Sequence, residues 1–292
     1  MRLNFLTRNS ILLIIFPQQR KRTHVLSRKK SYTNTLACIR KTELKLKIIT
    51  WNCNGALRKK FESLIDFNAD INIIQECENP AEIKHKEYNE WAENYLWIGD
   101  SKNKGIGIFA KKNIELKRLD WSDNFKDHKV KYFLPCSVNG VFELLAVWNH
   151  SNNSPTFGYI GQLWKYLQIN KSNLNKSLIV GDFNSNKIWD KWDRWWNHSD
   201  VVAELNEIGI ESLYHKYWGE EQGTETRPTF FLHRKLEKPY HIDYVFGSKE
   251  FINSLKKIEF GDISEWLKLS DHLPIICEFE KNKKITTRQQ RV

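Results

Sequence analysis

The chain has 292 residues, 40% of them apolar and 28% charged, which suits one large globular domain or two small ones. The longest apolar run near its start, ILLIIF (11–16), is six residues long and stops at Pro17. That excludes a spanning helix there, which needs ~20, and a secretory leader with its longer core and small-residue cleavage site. The net charge of +11 is confined to two acid-free tails, with ten basic residues in 1–42 and five in 281–292, so that 43–280 carries 31 bases against 35 acids, a net of −4.

Residues 1–43 read as a basic extension. Such a tail binds polyanions, and an arginine-rich, acid-free start fits equally a disordered segment, a mitochondrial presequence or a wrongly chosen start codon. Ordered structure is expected over 44–280 as one domain, with 281–292 a basic tail. LKLKIITWN (44–52) alternates and then turns apolar, as a strand entering a sheet does. FESLIDFNA (61–69) sets Phe61, Leu64 and Ile65 at helical spacing, and DINIIQE (70–76) reads as the second strand. GIGIFAKK (105–112), YFLPCSV (132–138) and FELLAVWNH (142–150) read as further strands, and YIGQLWKYLQIN (159–170) as a helix with Ile160, Leu163 and Leu167 on one face. After the strand SLIVGDF come a helix over 201–210 closed by Gly209, then strands at HIDYVFGS (241–248) and PIICEFE (274–280). Alternating strands and helices with hairpins between them predict an α/β protein with mixed sheets, not a bundle or an all-β sandwich.

The five cysteines are odd in number and none has metal-ligand spacing. Four lie in apolar contexts, which points to a reducing compartment without structural disulfides. The expectation is an intracellular, cytoplasmic monomer, with mitochondrial targeting by 1–42 the alternative.

Polar groups recur where the strands end: Asn52 and Asn54, Glu76, Asn149 and His150, Asp182 and Asn184, and Ser270-Asp271-His272 just before the last strand. Asp243 sits among Ile242, Tyr244 and Val245, where a carboxylate is costly to bury alone. Singly, each has an ordinary explanation. Asn52 can close a turn with Gly55, Glu76 can be a surface residue, His150 a core histidine, Asp271 a helix cap. Together they suit one site carried by loops at strand ends. Glu and Asp are hard oxygen ligands for Mg²⁺ or Mn²⁺, Asn donates to phosphate oxygens, and His beside Asp is a tuned acid–base pair. No phosphate-binding Gly-rich GxxxxGK[ST] motif is present. The set implies metal-assisted attack of water on a phosphoester.

TWNCNG (50–55), QE (75–76), GDFNS (181–185), HIDYVF (241–246) and SDHLPI (270–275) resemble, in order and over most of the chain, the motifs of the endonuclease/exonuclease/phosphatase superfamily. That superfamily includes exonuclease III, deoxyribonuclease I, neutral sphingomyelinases and inositol polyphosphate phosphatases. The resemblance implies a four-layer α/β sandwich, two packed and mostly antiparallel sheets with helices outside. It implies that Glu76 with Asn52 binds metal, that Asp271 supports a metal site, and that Asp182 orients or deprotonates the attacking water. Asn184, and Asn54 beside it in kind, would contact phosphate. His272 would be the catalytic histidine, with Asp243 holding its ring. His150-Ser151 resembles the deoxyribonuclease I and phosphatase branches, where that histidine protonates the leaving oxygen, whereas WNCNGALRK and GDFN followed by a Trp resemble the exonuclease III branch. A DNA nuclease is the expected activity. A phosphomonoesterase, a phospholipid or inositol phosphate hydrolase, and a binding module without chemistry are the alternatives.

Two segments are left open by their residues. In KIWDKWDRWWNHSD (187–200), Trp189 and Trp192 suit a helix packed in the core, while Trp195 and Trp196 are candidates to stack on bases. Arg227 in TRPTFF (226–231) is a candidate phosphate contact or part of a plain turn.

Overall fold

The computed structural model describes residues 45–280 except 127, 153 and 155. The two basic tails and Cys38, with everything expected of them, lie outside the described residues.

Twelve strands make two six-stranded sheets. In chain order they are β1 (Lys45–Asn52), β2 (Ile71–Cys77), β3 (Tyr95–Ser101) and β4 (Lys104–Ala110), then β5 (Leu116–Arg118), β6 (Phe133–Val138), β7 (Phe142–Trp148), β8 (Ser177–Asp182), β9 (Ile210–Ser212) and β10 (Asp243–Ser248). The chain then returns with β11 (Leu255–Phe260) and β12 (Ile275–Glu280). The first sheet runs β11-β12-β1-β2-β4-β3 and the second β9-β10-β8-β7-β6-β5. Only β1–β2 and β7–β8 pair in parallel.

Side chains alternate between two buried faces, because successive residues of a strand point to opposite sides. Ile48, Ile73, Leu144 and Val180 face the other sheet in the central core. Their neighbours Ile49 and Ile74 face outward to Leu57, Phe61, Leu64, Tyr88 and Trp266. Leu145 and Ile179 face outward to Ile160, Leu163, Leu167, Val201 and Leu205. The result is helix, sheet, sheet, helix: the four-layer sandwich. It explains why LIV (178–180) is apolar throughout and why all of IITW (48–51) is buried, instead of every second residue facing water.

The expected helix over 61–69 shrinks to Glu62–Ile65 after a 3₁₀ turn at Leu57–Lys59, and Ile65 is exposed. The helix expected over 201–210 begins earlier, at His198, and ends at Glu207. Asp190 accepts the His198 and Ser199 N–H groups, and Asp200 accepts that of Asn197, so the free amides of the first turn are satisfied there. Gly209, at φ 75°, takes the left-handed turn beyond its end.

No helix of the described residues is long and apolar enough to cross a membrane. Cys53, Cys77, Cys136 and Cys277 are buried free thiols.

Candidate active site

The strand ends converge at one end of the sandwich. β8 is the pivot. At Gly181 the backbone takes φ 146°, and a Cβ there would meet the Val147 carbonyl oxygen at 1.9 Å, so only glycine fits. Asp182 follows, fully buried, beside Trp148 of β7 and directly opposite Asp243 of β10. Asn184 adopts φ 46°, a left-handed conformation that Asn tolerates. It folds back on Asp182, donating its N–H to Oδ1 at 2.7 Å and Nδ2 to Oδ2 at 2.9 Å. Nδ2 also donates to the Asn149 carbonyl at 3.0 Å.

Asn52, at the end of β1, bridges the two sheets. Its Nδ2 donates to Asp182 Oδ2 at 2.9 Å and to Glu76 Oε1 at 3.3 Å, and its Oδ1 accepts the Asn54 N–H. Glu76 sits where the β2–β4 register shifts, with φ 60°. This bulge turns its carboxylate out of the strand's alternation. Its Oε2 is paired with Lys104 Nζ at 2.9 Å. On the far side, Asn54 donates to Asp271 Oδ1 at 3.0 Å, and Ser270 Oγ donates to the Asn52 carbonyl at 2.7 Å.

His272 is held from several sides, and its N–H donates to Ser270 Oγ at 3.1 Å. Asp243 Oδ2 lies 2.9 Å from Nδ1, the Phe230 ring centroid is 4.6 Å away, and Trp51 Nε1 donates to its carbonyl. Thr229 Oγ1 accepts the N–H groups of Ile242 and Asp243 and so fixes the start of β10. One ligand-type atom from each of Asp182, Asp243 and His272 falls within 4.8 Å of the others. Burial, then the facing Asp243 carboxylate, push Asp182 up to about 7. For His272 burial opposes the charge, but Asp243 overrides it and the ring rises to about 9.

His150 lies on the Glu76 side. Its Nδ1 accepts the Asn152 N–H at 3.1 Å and its ring packs edge-on against Trp148 and Tyr132. Burial, then the nearby Lys104 ammonium, lower its pKa, so at neutral pH it is an uncharged imidazole with its proton on Nε2.

Several expectations change. Both amide hydrogens of Asn184 are taken by Asp182 and Asn149, so it orients the carboxylate and presents none to a phosphate. Asn52 turns its amide nitrogen, not its oxygen, to the acidic cluster, which makes it a hydrogen-bonding bridge and not an oxygen ligand. Arg227 is ion-paired with Glu220 at 3.0 Å and stacked 3.5 Å over Trp218. The neighbouring Thr229 and Phe230 are what TRPTFF brings to the site. Before the helix that starts at His198, the tryptophan segment forms only a 3₁₀ turn at Lys187–Trp189. Trp192 is 98% exposed and Trp189 partly so, while Trp196 is buried against Phe157. Trp189 and Trp192, expected in a core helix, are thus exposed, and Trp196, a candidate to stack on bases, is buried, because Asp190 caps a helix that starts only at His198 and leaves 191–197 as a loop. Trp195 remains exposed. Lys104 was missed, because nothing in the hairpin sequence marks it. Asn149 was noticed only as a strand-end residue.

The donor set suits a hard divalent cation. It is built of carboxylates, one oxygen of Asp243 is buried without a partner, and Glu76 already attracts a cation, the Lys104 ammonium.

Comparison with known proteins bears on family and fold. The sequence profile described as the Endonuclease/Exonuclease/phosphatase family matches residues 49–272. A search of the curated proteins gave no match. Among solved structures, the chain is similar to an AP endonuclease from Archaeoglobus fulgidus (TM-score 0.62, 18% identity, covering 80% of this chain and 99% of that one). It is similar to the 3′ phosphatase NExo from Neisseria bound to product DNA hairpin (TM-score 0.58, 18% identity, 81% and 100% covered). It is also similar to the Xenopus laevis APE2 catalytic domain (TM-score 0.53, 15% identity, 82% and 94% covered). At these identities the likeness is one of fold.

Proposed function

This chain belongs to the endonuclease/exonuclease/phosphatase family, and from that premise we propose that it is a divalent-metal-dependent phosphodiesterase whose substrate is DNA. One observation carries the reading: buried Asp182, its oxygens held by Asn52 and Asn184, faces Asp243, which in turn holds His272 through Nδ1. An acid and a base with pKa values set apart in one site are what hydrolysis by general acid–base catalysis needs.

Asp182 accepts the proton of the attacking water. Asn52 and Asn184 hold its two oxygens in place. His272, tethered through Nδ1, keeps Nε2–H free to donate to a phosphoryl oxygen and offset the charge that grows there. His150, uncharged, donates a hydrogen bond from Nε2–H to the leaving oxygen and so offsets the charge it gains. Glu76 and Asp271 would hold the metal. A bound Mg²⁺ or Mn²⁺ supplies charge neutralisation and polarisation of the phosphoryl group.

DNA is favoured because the similar structures are described as an AP endonuclease and as a phosphatase bound to a DNA hairpin. His150 supports a second reading, a phosphomonoesterase or a phospholipid or inositol phosphate hydrolase, since it resembles the phosphatase branch. The purified chain with Mg²⁺ is offered plasmid, single-stranded DNA, RNA, sphingomyelin and inositol phosphates side by side. DNA cleavage that chelator abolishes and Mg²⁺ or Mn²⁺ restores is expected. Full activity in excess EDTA overturns the mechanism, and turnover of a lipid or inositol phosphate alone moves the substrate to the second reading.

A further inference from the structure

The helix Ile160–Asn170 buries a charge that the catalytic site does not use. Lys165 is 5% exposed. Its ammonium lies over the Phe157 ring at 4.5 Å and over the Phe125 ring at 5.9 Å. Among the described residues it makes no hydrogen bond or ion pair. Buried charges are ordinarily paired, and ring faces offset only part of the loss of water. Burial accordingly lowers the Lys165 pKa.

Lys165 lines a cleft of about 650 Å³ whose walls include Phe157, Trp164, Trp195 and Lys126. That volume is in the range of small-ligand sites. No acidic side chain among the described residues lines it. Trp195 is 66% exposed and stands edge-on to Phe157, 6.4 Å between centroids. The cleft also adjoins the catalytic site, because Asn152 on its wall is the residue that donates its N–H to His150.

We propose that this cleft is a subsite for one unpaired nucleotide of the substrate strand, with a phosphate on Lys165 and the base stacked on Trp195. A cation without an acidic partner among the described residues answers the phosphate, and the exposed Trp195 ring answers a base in any sequence. A base inside a duplex has both faces covered and cannot enter. The enzyme therefore prefers a single-stranded or frayed strand to a fully paired one. This rests on the nucleic-acid reading above.

The test is fluorescence anisotropy of a labelled oligothymidine and of a blunt duplex with the full chain in excess EDTA, where turnover does not enter. The single strand is expected to bind more tightly. Trp195→Ala is expected to weaken it by at least ~fivefold and leave the duplex unchanged. Lys165→Met should do the same and lower the slope of log affinity against log salt by ~0.7, with Lys165→Arg restoring it. Trp195 is exposed, so its variant tests the subsite even where Lys165→Met fails to fold. Equal affinity for the two DNAs, or unchanged single-strand affinity in Trp195→Ala, overturns the proposal. The nuclease reading fails separately: wild-type protein that shows this binding pattern but cuts no DNA with Mg²⁺ would keep the subsite and lose the enzyme.

Discussion

In the proposed mechanism Asp182 and His272 occupy opposite ends of one proton-transfer scheme. His272→Ala and Asp182→Ala are each expected to lower kcat on the order of 10²-fold or more, from lost acid–base catalysis, with circular dichroism unchanged. Near wild-type rates in both folded variants would remove them from the mechanism. His150 calls for a different measurement. A neutral imidazole donating from Nε2 matters most when the leaving oxygen is a poor leaving group. His150→Ala should therefore lose far more activity on a natural diester than on a nitrophenyl ester, whose leaving oxygen spreads its charge into the ring and hardly needs a hydrogen bond. Equal losses with an unchanged Tm would exclude that hydrogen bond to the leaving oxygen. At this scale the sequence was informative about residue type, since motif order identifies which carboxylates and histidines meet. It was silent on direction. Whether Asn184 offers its amide to a phosphate or spends it on Asp182 depends on φ 46° and on the position of the Asn149 carbonyl, and neither is written in GDFN.

Among elements, β8 is the least tolerant. Gly181→Ala would drive a Cβ into the Val147 carbonyl, an overpacking that costs about 1–3 kcal/mol or more where backbone must move. A clear fall in Tm and in soluble yield is expected, and a wild-type melting curve would show that β7 and β8 can separate freely. The helix His198–Glu207 makes a pH prediction. Burial, opposed in part by a hydrogen bond with Gln222, lowers His198 from 6.5 to about 4. The unfolded chain then binds the extra proton first, so this contribution is complete above 6.5 and is lost as the pH falls toward 4. The slope is at most about 1.4 kcal/mol per pH unit. Urea melts at pH 7.5 and 5.0 should show His198→Gln losing less stability than the wild type, and parallel losses would refute it. Strands that bury both faces were legible as apolar runs. The edge strands β3, β5, β9 and β11 were not, because short or half-exposed segments carry no periodic signal. The tryptophan loop misled for a related reason: i, i+3 spacing suggests a helix, but Asp190 and Asn197 cap a helix that begins only at His198.

For the molecule as a whole, charge and chemistry are segregated. The described domain holds the whole candidate site, while the excess of basic residues lies in 1–42 and 281–292. Removing 1–42 is expected to leave kcat intact and to make affinity for DNA fall less steeply with salt, as it does when fewer phosphates are neutralised. Failure of the shortened chain to fold would mean that the segment is part of the domain. The four-layer architecture was foreseeable from alternating elements and five ordered motifs. The order of strands within each sheet was not, because it depends on long-range pairings that no local pattern encodes.

One such pairing has a temporal consequence. β1 lies against β12, Lys45 opposite Glu280 and Thr50 opposite Ile275, so the first strand of the domain waits for the last. Trp51 and Asn52 meet His272 and Ser270 across more than two hundred residues of chain. During synthesis, which proceeds from the N-terminus, Asp182 and Asp243 emerge well before the histidine they serve. The nascent chain thus holds the two aspartates without the histidine, and the candidate site is complete only when the sandwich closes.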